Sequence, residues 1–400
     1  MGCFFSKKCK WKSSEREERA PTSTTGETAT ATGNAGPLGN SSEEAPKQYS
    51  WDTREKVDPK DYMLSGLRGV TAGRLPGALR GQQFVIQDCE DCDIYVFDHS
   101  AAVTVDDCSR CRVFLGPARG SVFFRNCRDV KCAVACQQFR TRDCKKMEVF
   151  LSCATQPVIE SSAGVKFGCF QYFYPELAFH FKDAGLSVFN NNWSNVHDFT
   201  PVAGENNWSL LPEGAAVLDS VPTPDPGSEF KGVRVSADPE RSIVPLTKGG
   251  RRKASEESCL FVFFAGEYAT ANARKLIDET SARGFVLIQT KEVSMRPDDV
   301  SRVFQTSAED LVDCVTKGAV IALELSGDGV VEACRSIARD VFSGTKVTTS
   351  SLINNNNNND NKQPHTGCLP LFQVFVSDNK NTSSRDIDSF FNFADMQMGL

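Results

Sequence analysis

Four cysteines, Cys89, Cys108, Cys127 and Cys144, recur at spacings of 19, 19 and 17 residues, each preceded by Asp88, Asp107, Asn126 or Asp143. A unit this short cannot bury a hydrophobic face alone and must stack on its neighbours, so the repeat constrains the fold more than any other feature. Five positions before each cysteine stand Phe84, Val103, Val122 and Phe139, and three before it Ile86, Val105, Phe124 and Thr141. Three, five and seven positions after it come rows ending in Val96, Leu115, Val134 and Leu151. Alternate residues are therefore apolar or Cys, with Thr141 the exception, as in a strand with one buried face. Ile159, Val165, Phe167 and Cys169 place a further coil. Columns of like residues at this period predict a parallel β-helix, an all-β solenoid.

The same columns decide how the cysteines are read. Cys89-x-x-Cys92 with Cys108-x-x-Cys111 has the paired spacing of a zinc site. However, the second column continues as Val130 and Met147, so its positions accept plain hydrophobes. A small, readily buried thiol suits the inside of a narrow coil, and no metal is expected there.

The stretch from Gly120 to Arg142, with Ser121-Val-Phe-Phe-Arg-Asn-Cys127 and Ala135-Cys-Gln-Gln-Phe-Arg140, resembles the tubulin-binding cofactor C domain family. The likeness extends through Trp51-Asp52, Gln82-Gln83-Phe84 and Phe167 to Trp208 into the C-terminal half, leaving out a Ser/Thr-rich tether and an Asn-rich insert. It implies a right-handed β-helix and a GTPase-activating protein for an Arf-like small GTPase in its GTP-bound state, in the traffic of lipidated proteins to the cilium. The family's catalytic arginine and glutamine match Arg140 and Gln137. Its supporting glutamate and interface phenylalanine match Glu160 and Phe199. No cofactor of its own is implied, since the GTP and Mg belong to the partner. Which GTPase is meant, and whether tubulin is also a target, stay open.

Strand alternation independently turns Arg140 outward, between inward Phe139 and Thr141. Its outward column reads Val85, Thr104, Phe123, Arg140 and Val158, and the next reads Gln87, Asp106, Arg125, Arg142 and Glu160. Apolar Phe123 and Val158 beside an arginine that Glu160 can orient describe a contact patch, with Gln138 and Arg142 at its edge. The rival to a GTPase activator is a membrane-tethered effector or adaptor that binds the GTPase without accelerating hydrolysis. His180 and His197 have no ligand spacing and are read as ordinary polar residues. The many aromatics of Phe167 to Pro212 are expected to cap the solenoid's end, with Phe199 exposed.

At the N-terminus, Met-Gly-Cys-Phe-Phe-Ser fits myristoylation of Gly2, with Cys3 available for palmitoylation. One myristoyl chain binds membranes only marginally, and the second chain plus Lys7, Lys8, Lys10 and Lys12 supply the further attraction to anionic lipid. Residues 1–12 are thus read as an acylated basic anchor and 13–48 as a disordered tether, placing the protein at the cytoplasmic face of the plasma membrane and, through the resemblance, near the cilium or basal body. With 45 basic and 51 acidic residues, the net charge of −6 gives no electrostatic footprint for nucleic acid. The chain shows neither a membrane span nor a secretory signal, so its cysteines are expected to be reduced.

Residues 49–222 are assigned to the solenoid and its aromatic cap, 223–256 to a linker, and 257–400 to a second domain interrupted near 348–366 by the Asn-rich insert. Buried-strand runs at Ser258 to Ala265, Gly284 to Ile288 and Ala319 to Leu325 alternate with helical patterns at Asn272 to Ala282, Pro297 to Phe304, Ala308 to Thr316 and Gly329 to Phe342. The order predicts an α+β ferredoxin-like sheet that looks like a nucleoside diphosphate kinase domain. That family's Asn-x-x-His-Gly-Ser-Asp pattern is missing, and the region's histidine, His365, stands beside the Asn run. Phosphotransfer needs its histidine nucleophile, so kinase activity is not expected.

Overall fold

The computed structural model describes residues 59–399 apart from 226, 239–240, 267, 305–308, 343–345 and 349–372. The anchor with Gly2, Cys3, Lys7, Lys8, Lys10 and Lys12, the tether, Trp51-Asp52, the Asn-rich insert and His365 lie outside the described residues.

The N-terminal half is a β-solenoid of parallel strands. One column runs Met63, Val85, Thr104, Phe123, Arg140, Val158, His197, each residue paired with the next coil's. Inward side chains form one continuous core that includes Phe84, Val105, Val122, Phe139, Leu151 and the cysteines of the repeat. The residue before each repeat cysteine explains its identity. Asp88, Asp107, Asn126 and Asp143 have φ of 50°, 52°, 52° and 56°, so each coil turns a corner through a left-handed residue. That conformation costs most L-residues about 1–2 kcal/mol, while Asn and Asp enter it more readily because the short polar chain bonds locally.

Thr141, the one polar residue in its column, has a partner. Ser162 takes the place of the repeat cysteine in the next coil, and the Thr141 hydroxyl donates to its Oγ at 3.1 Å. Ser162 also accepts the Cys144 N–H at 3.1 Å and donates to the Glu160 carbonyl at 2.9 Å. Substituting oxygen for sulfur in one column is thus balanced by a hydroxyl in its neighbour, which keeps the buried polar groups bonded.

The aromatic segment covers a side of the solenoid as well as its end. Phe170, Tyr172, Tyr174 and Phe181 pack along a side of the solenoid, on a second outward column of Tyr95, Phe114, Ala133 and Phe150. Phe114 and Tyr172 stack with ring centroids 4.2 Å apart. The column is aromatic and would otherwise be solvated, so covering it removes more apolar area than covering an end alone. The end is closed by Trp193, with Trp208 and Leu210 beside it. Phe199 is exposed as expected, and so is Phe179. Residues read as a linker are also packed: Phe230 is buried against Tyr95 and Phe97, and Arg251 lies 4.8 Å from the Trp193 ring.

The C-terminal region is a mixed five-stranded sheet in the order Val286–Val293, Val320–Ser326, Ser258–Phe263, Gln373–Val376, Lys346–Thr348. Among the first four each strand is antiparallel to its neighbour, and the last pair is parallel. The expected strands at 258 and 286 are therefore not neighbours; Val320–Ser326 lies between them. Ala269–Ala282 and Val330–Asp340 cover one face, and Pro297–Phe304, Glu309–Val315 and Lys380–Met398 the other. With helices on both sides, Ser258–Phe263 is buried at all six positions, which is why its sequence is a continuous apolar run.

Replacing Asp107 by Asn should leave stability nearly unchanged, whereas Asp107→Val should lower it by about 1–2 kcal/mol, because a β-branched side chain is strained at positive φ. Urea unfolding of the two variants measures the difference.

Candidate functional site

The outward column through Arg140 is built by strand Arg128–Arg142 and its neighbours on either side. Phe123 pairs with Arg140 in one direction and Val158 in the other. In the adjoining column, Arg125, Arg142 and Glu160 are successive rungs. The columns read from alternation are therefore the columns of the structure.

Charge pairing distinguishes Arg140 from the arginines around it. Arg110 pairs with Asp91 at 2.7 Å, Arg112 with Asp93, and Arg125 with Asp106, each across one rung of the solenoid. Arg142 lies 3.7 Å from Asp143, and both it and Arg125 sit over the Phe123 ring, at 5.8 and 5.5 Å. Arg140 is exposed, and among the described residues its guanidinium makes no ion pair or hydrogen bond. The expected orientation of Arg140 by Glu160 is therefore absent from this structure. Glu160 stands opposite Arg142, one column over, with its side chain in solvent.

The surroundings of Arg140 are nevertheless fixed. Gln137 has its carbonyl held twice by Thr155, by the backbone N–H at 3.0 Å and the hydroxyl at 2.9 Å. Gln138 accepts a hydrogen bond from the Ser121 hydroxyl at 3.0 Å. Phe199 donates its N–H to the Ile159 carbonyl at 2.9 Å, and its ring meets His197 edge-on at 4.8 Å. Thr200, which accepts the Ser161 N–H at 2.7 Å, and Asp198, which accepts the Thr200 N–H at 2.9 Å, pin the same loop. Phe199 is 63% exposed despite this anchoring. An aromatic ring held rigidly in water beside a free cation has the character of a contact residue.

Arg140, Val158, His197 and Phe199 line a cavity of about 360 Å³ with Gln138 and, from the other end of the chain, Met398 and Gly399. The cavity brings together Arg140, Gln138, Phe199 and His197, while Phe123 lies one rung from Arg140 in its column and Arg142 and Glu160 stand in the adjoining column.

The repeat cysteines form hydrogen bonds to backbone. Cys89, Cys108, Cys127 and Cys144 each donate the thiol proton to the carbonyl two residues earlier, at 3.2 to 3.3 Å, and Cys92 and Cys111 do the same. Burial pushes the Cys89 thiol up to about 11 and the Cys111 thiol up to about 12, so both keep the proton that they donate.

Among the described residues, Asp98, His99 and His180 are a group whose ligand atoms converge. Their lone pairs are already employed. Asp98 accepts the Leu79 and Arg80 N–H groups at 2.6 and 2.9 Å on one oxygen and the His99 N–H at 2.8 Å on the other. His180 Nδ1 meets the Tyr174 hydroxyl at 2.7 Å. The carboxylate clamps a turn to the aromatic side layer, a structural task.

Comparison with known proteins sets this geometry in a family. The chain is 68% identical to Protein XRP2 of Danio rerio over 403 residues and 58% identical to Protein XRP2 of Homo sapiens over 400, with both proteins covered in full each time. It belongs to the XRP2 family. A family model described as Tubulin binding cofactor C matches residues 81–199, which contain the Arg140 column from Val85 to His197. Tubulin-specific chaperone C of Mus musculus is 33% identical over 138 residues, 34% of this chain and 40% of that one. The resemblance drawn from the Gly120 to Arg142 motifs is thus the family's own, and the XRP2 likeness runs on through the C-terminal sheet.

Two contributors were missed in the sequence. His197 has no cysteine or second histidine at ligand spacing and reads as an ordinary polar residue, yet stands two rungs from Arg140. Met398 and Gly399 close the helix Lys380–Met398, which went unread although Ile387, Phe390, Phe391, Ala394 and Met398 recur at helical spacing and Asn379 caps its start through the Asn381 and Thr382 N–H groups.

Burial holds the His180 imidazole below its ordinary value of 6.5, with Asp98 partly opposing the shift. A base whose folded pKa is depressed takes up a proton on unfolding, so stability should fall as pH drops below about 6.5 and be fully present above it. Thermal melts between pH 5 and 8 should show that slope, and His180→Gln should flatten it; an unchanged slope in the variant would assign it to other groups.

Proposed function

We propose that this protein is a GTPase-activating protein for an Arf-like small GTPase, supplying Arg140 in trans to the bound GTP. The supporting observation is the unpaired, exposed Arg140 guanidinium beside anchored, exposed Phe199, on a face where neighbouring arginines are paired. Phosphoryl transfer develops charge on the γ-phosphate and bridging oxygens, and an inserted arginine stabilises that charge without forming a bond, at a gain of about 10³–10⁵ in rate. A guanidinium bonded to its own protein would have to break that bond to reach a partner; Arg140 has none to break among the described residues. Gln137, one strand-turn away and backbone-fixed by Thr155, positions or completes the partner's catalytic groups. Phe123, Gln138, Arg142, Glu160 and Phe199 form the docking surface around them. Glu160, free of Arg140 here, is available to it or to the partner on docking.

Acylation at Gly2 and Cys3, with Lys7, Lys8, Lys10 and Lys12, would hold this face near membranes where a lipidated cargo system works, at the plasma membrane and the cilium. The C-terminal sheet is then a nucleoside-diphosphate-kinase-like module that has lost phosphotransfer and serves as a scaffold. The chaperone relatives make tubulin a second partner to test.

Arg140→Ala should reduce stimulated single-turnover GTP hydrolysis by about 10³-fold or more while leaving affinity for the GTP-loaded partner within a few-fold, and Arg140→Lys should restore little, since an ammonium lacks the planar fork of donors. Unchanged stimulation in Arg140→Ala would remove the proposal, and tight binding without stimulation by the intact protein would identify an effector instead. Gly2→Ala combined with Cys3→Ser should move the protein from the membrane fraction to the soluble fraction, because the lysines are then the single remaining signal and give only marginal binding.

A further inference from the structure

The wall of the Arg140 cavity opposite the solenoid comes from the last turn of the chain's C-terminal helix. Met398 and Gly399 line the same space as Gln138, Arg140, Val158 and Phe199. We infer that this last turn is a second docking element for the GTP-bound GTPase, so that the partner is recognised jointly by the solenoid face and the C-terminal helix. The inference rests on the assignment of Arg140 made above and extends it to a part of the chain outside the cofactor C match at residues 81–199.

The turn is held against the solenoid by a specific buried path. Lys291, on the C-terminal sheet and 2% exposed at its side chain, lies 2.9 Å from Asp395 Oδ1 in the helix and donates to Asn192 Oδ1. Asn192 in turn donates its N–H to the Cys153 carbonyl at 2.8 Å and its side-chain amide to the Ala154 carbonyl at 2.6 Å. The next residue, Thr155, is the one that holds the Gln137 carbonyl. A single buried ammonium therefore ties the helix end to the loop that fixes Gln137. Such a cation persists only while its partners are in place, so the wall and the Gln137 loop are set in one rigid relation.

The chemistry of the space fits a protein partner carrying an anionic group. One wall offers an unpaired guanidinium, and the other two sides offer Phe199, Val158 and Met398. Apolar contacts ringing a desolvated charge are the usual composition of an interface centre. The helix stops where it does because Gly399, at φ 70°, takes the left-handed position after the last turn, with its N–H returning to Asp395 and Met396 carbonyls. A Cβ at Gly399 would meet nothing within 4 Å, so a side chain there enters open space and not the protein's own core.

The test uses the full chain and an Arf-like GTPase loaded with GTP, with KM and saturating rate measured separately. Deleting residues 397–400 should raise KM about tenfold and keep the saturating rate within about threefold, since the wall contributes docking and not charge stabilisation. Gly399→Asn should raise KM by a similar factor and Gly399→Asp should in addition lower the saturating rate, because both residues accept the left-handed backbone and put a side chain into the docking space, while only the second adds a charge able to capture Arg140. If the truncation melts at a lower temperature, the Gly399 pair decides the matter alone. KM unchanged within twofold in Gly399→Asp, and in a truncation that melts as wild type, would overturn the inference. Absence of stimulation by the intact protein would instead overturn the assignment of Arg140 on which it rests.

Discussion

The hydrogen-bonded register between successive coils governs everything else in the solenoid. A strand has a side-chain period of two, so a slip of one residue between coils would exchange its inward and outward sets. Here the slip is prevented at the corners. Asp88, Asp107, Asn126 and Asp143 each place one left-handed residue at the same point of the coil, and the cysteine that follows each tucks its thiol proton onto a carbonyl of its own strand. Fixing the corner fixes which atoms reach the next coil. Arg140 points outward because the strand so registered alternates, with Phe139 and Thr141 buried on either side of it.

That register also explains how one narrow solenoid carries three different surfaces. Its inner columns are filled with small and branched apolar groups and thiols. One outer column, Tyr95 to Phe150, is aromatic and is sealed by the segment from Phe170 to Phe181 and by Phe230. Another, Thr104 to His197, is left open, with Arg140 at its centre. The contrast between the last two is informative. Both have apolar members, but the chain covers one and leaves the other in water, and the uncovered one contains an arginine with no partner among the described residues. The cofactor C match covers this region.

Much of this was legible because solenoid geometry is unusually local. The alternation of Phe84, Ile86, Ile94 and Val96 and the spacing of the cysteines specify both the strands and their phase, and the family motif around Gln137 and Arg140 falls within one coil. Thr141 was legible as an anomaly but not as a solution, since its partner Ser162 is recognised as a stand-in for cysteine only after the coils are aligned in space. The aromatic segment was legible only in part for a related reason. Its composition demands burial but does not say against what, and a solenoid offers both ends and sides.

The sequence by itself determined the solenoid, its inward and outward columns, the exposure of Arg140, and three of the five described strands and most helices of the second region, because each follows from periodicity within a few residues; Lys346–Thr348 and Gln373–Val376 went unread. Only the tertiary structure decided that Glu160 leaves Arg140 free, that His197 joins its column, that residues 223–256 are packed, and that Met398 and Gly399 close the cavity from more than two hundred residues away. Those facts depend on which distant segments come to lie side by side. Lys291, between Asp395 and Asn192, shows the physical reason: a buried cation is stable only where three separate elements meet, and no pattern within any one of them announces the meeting.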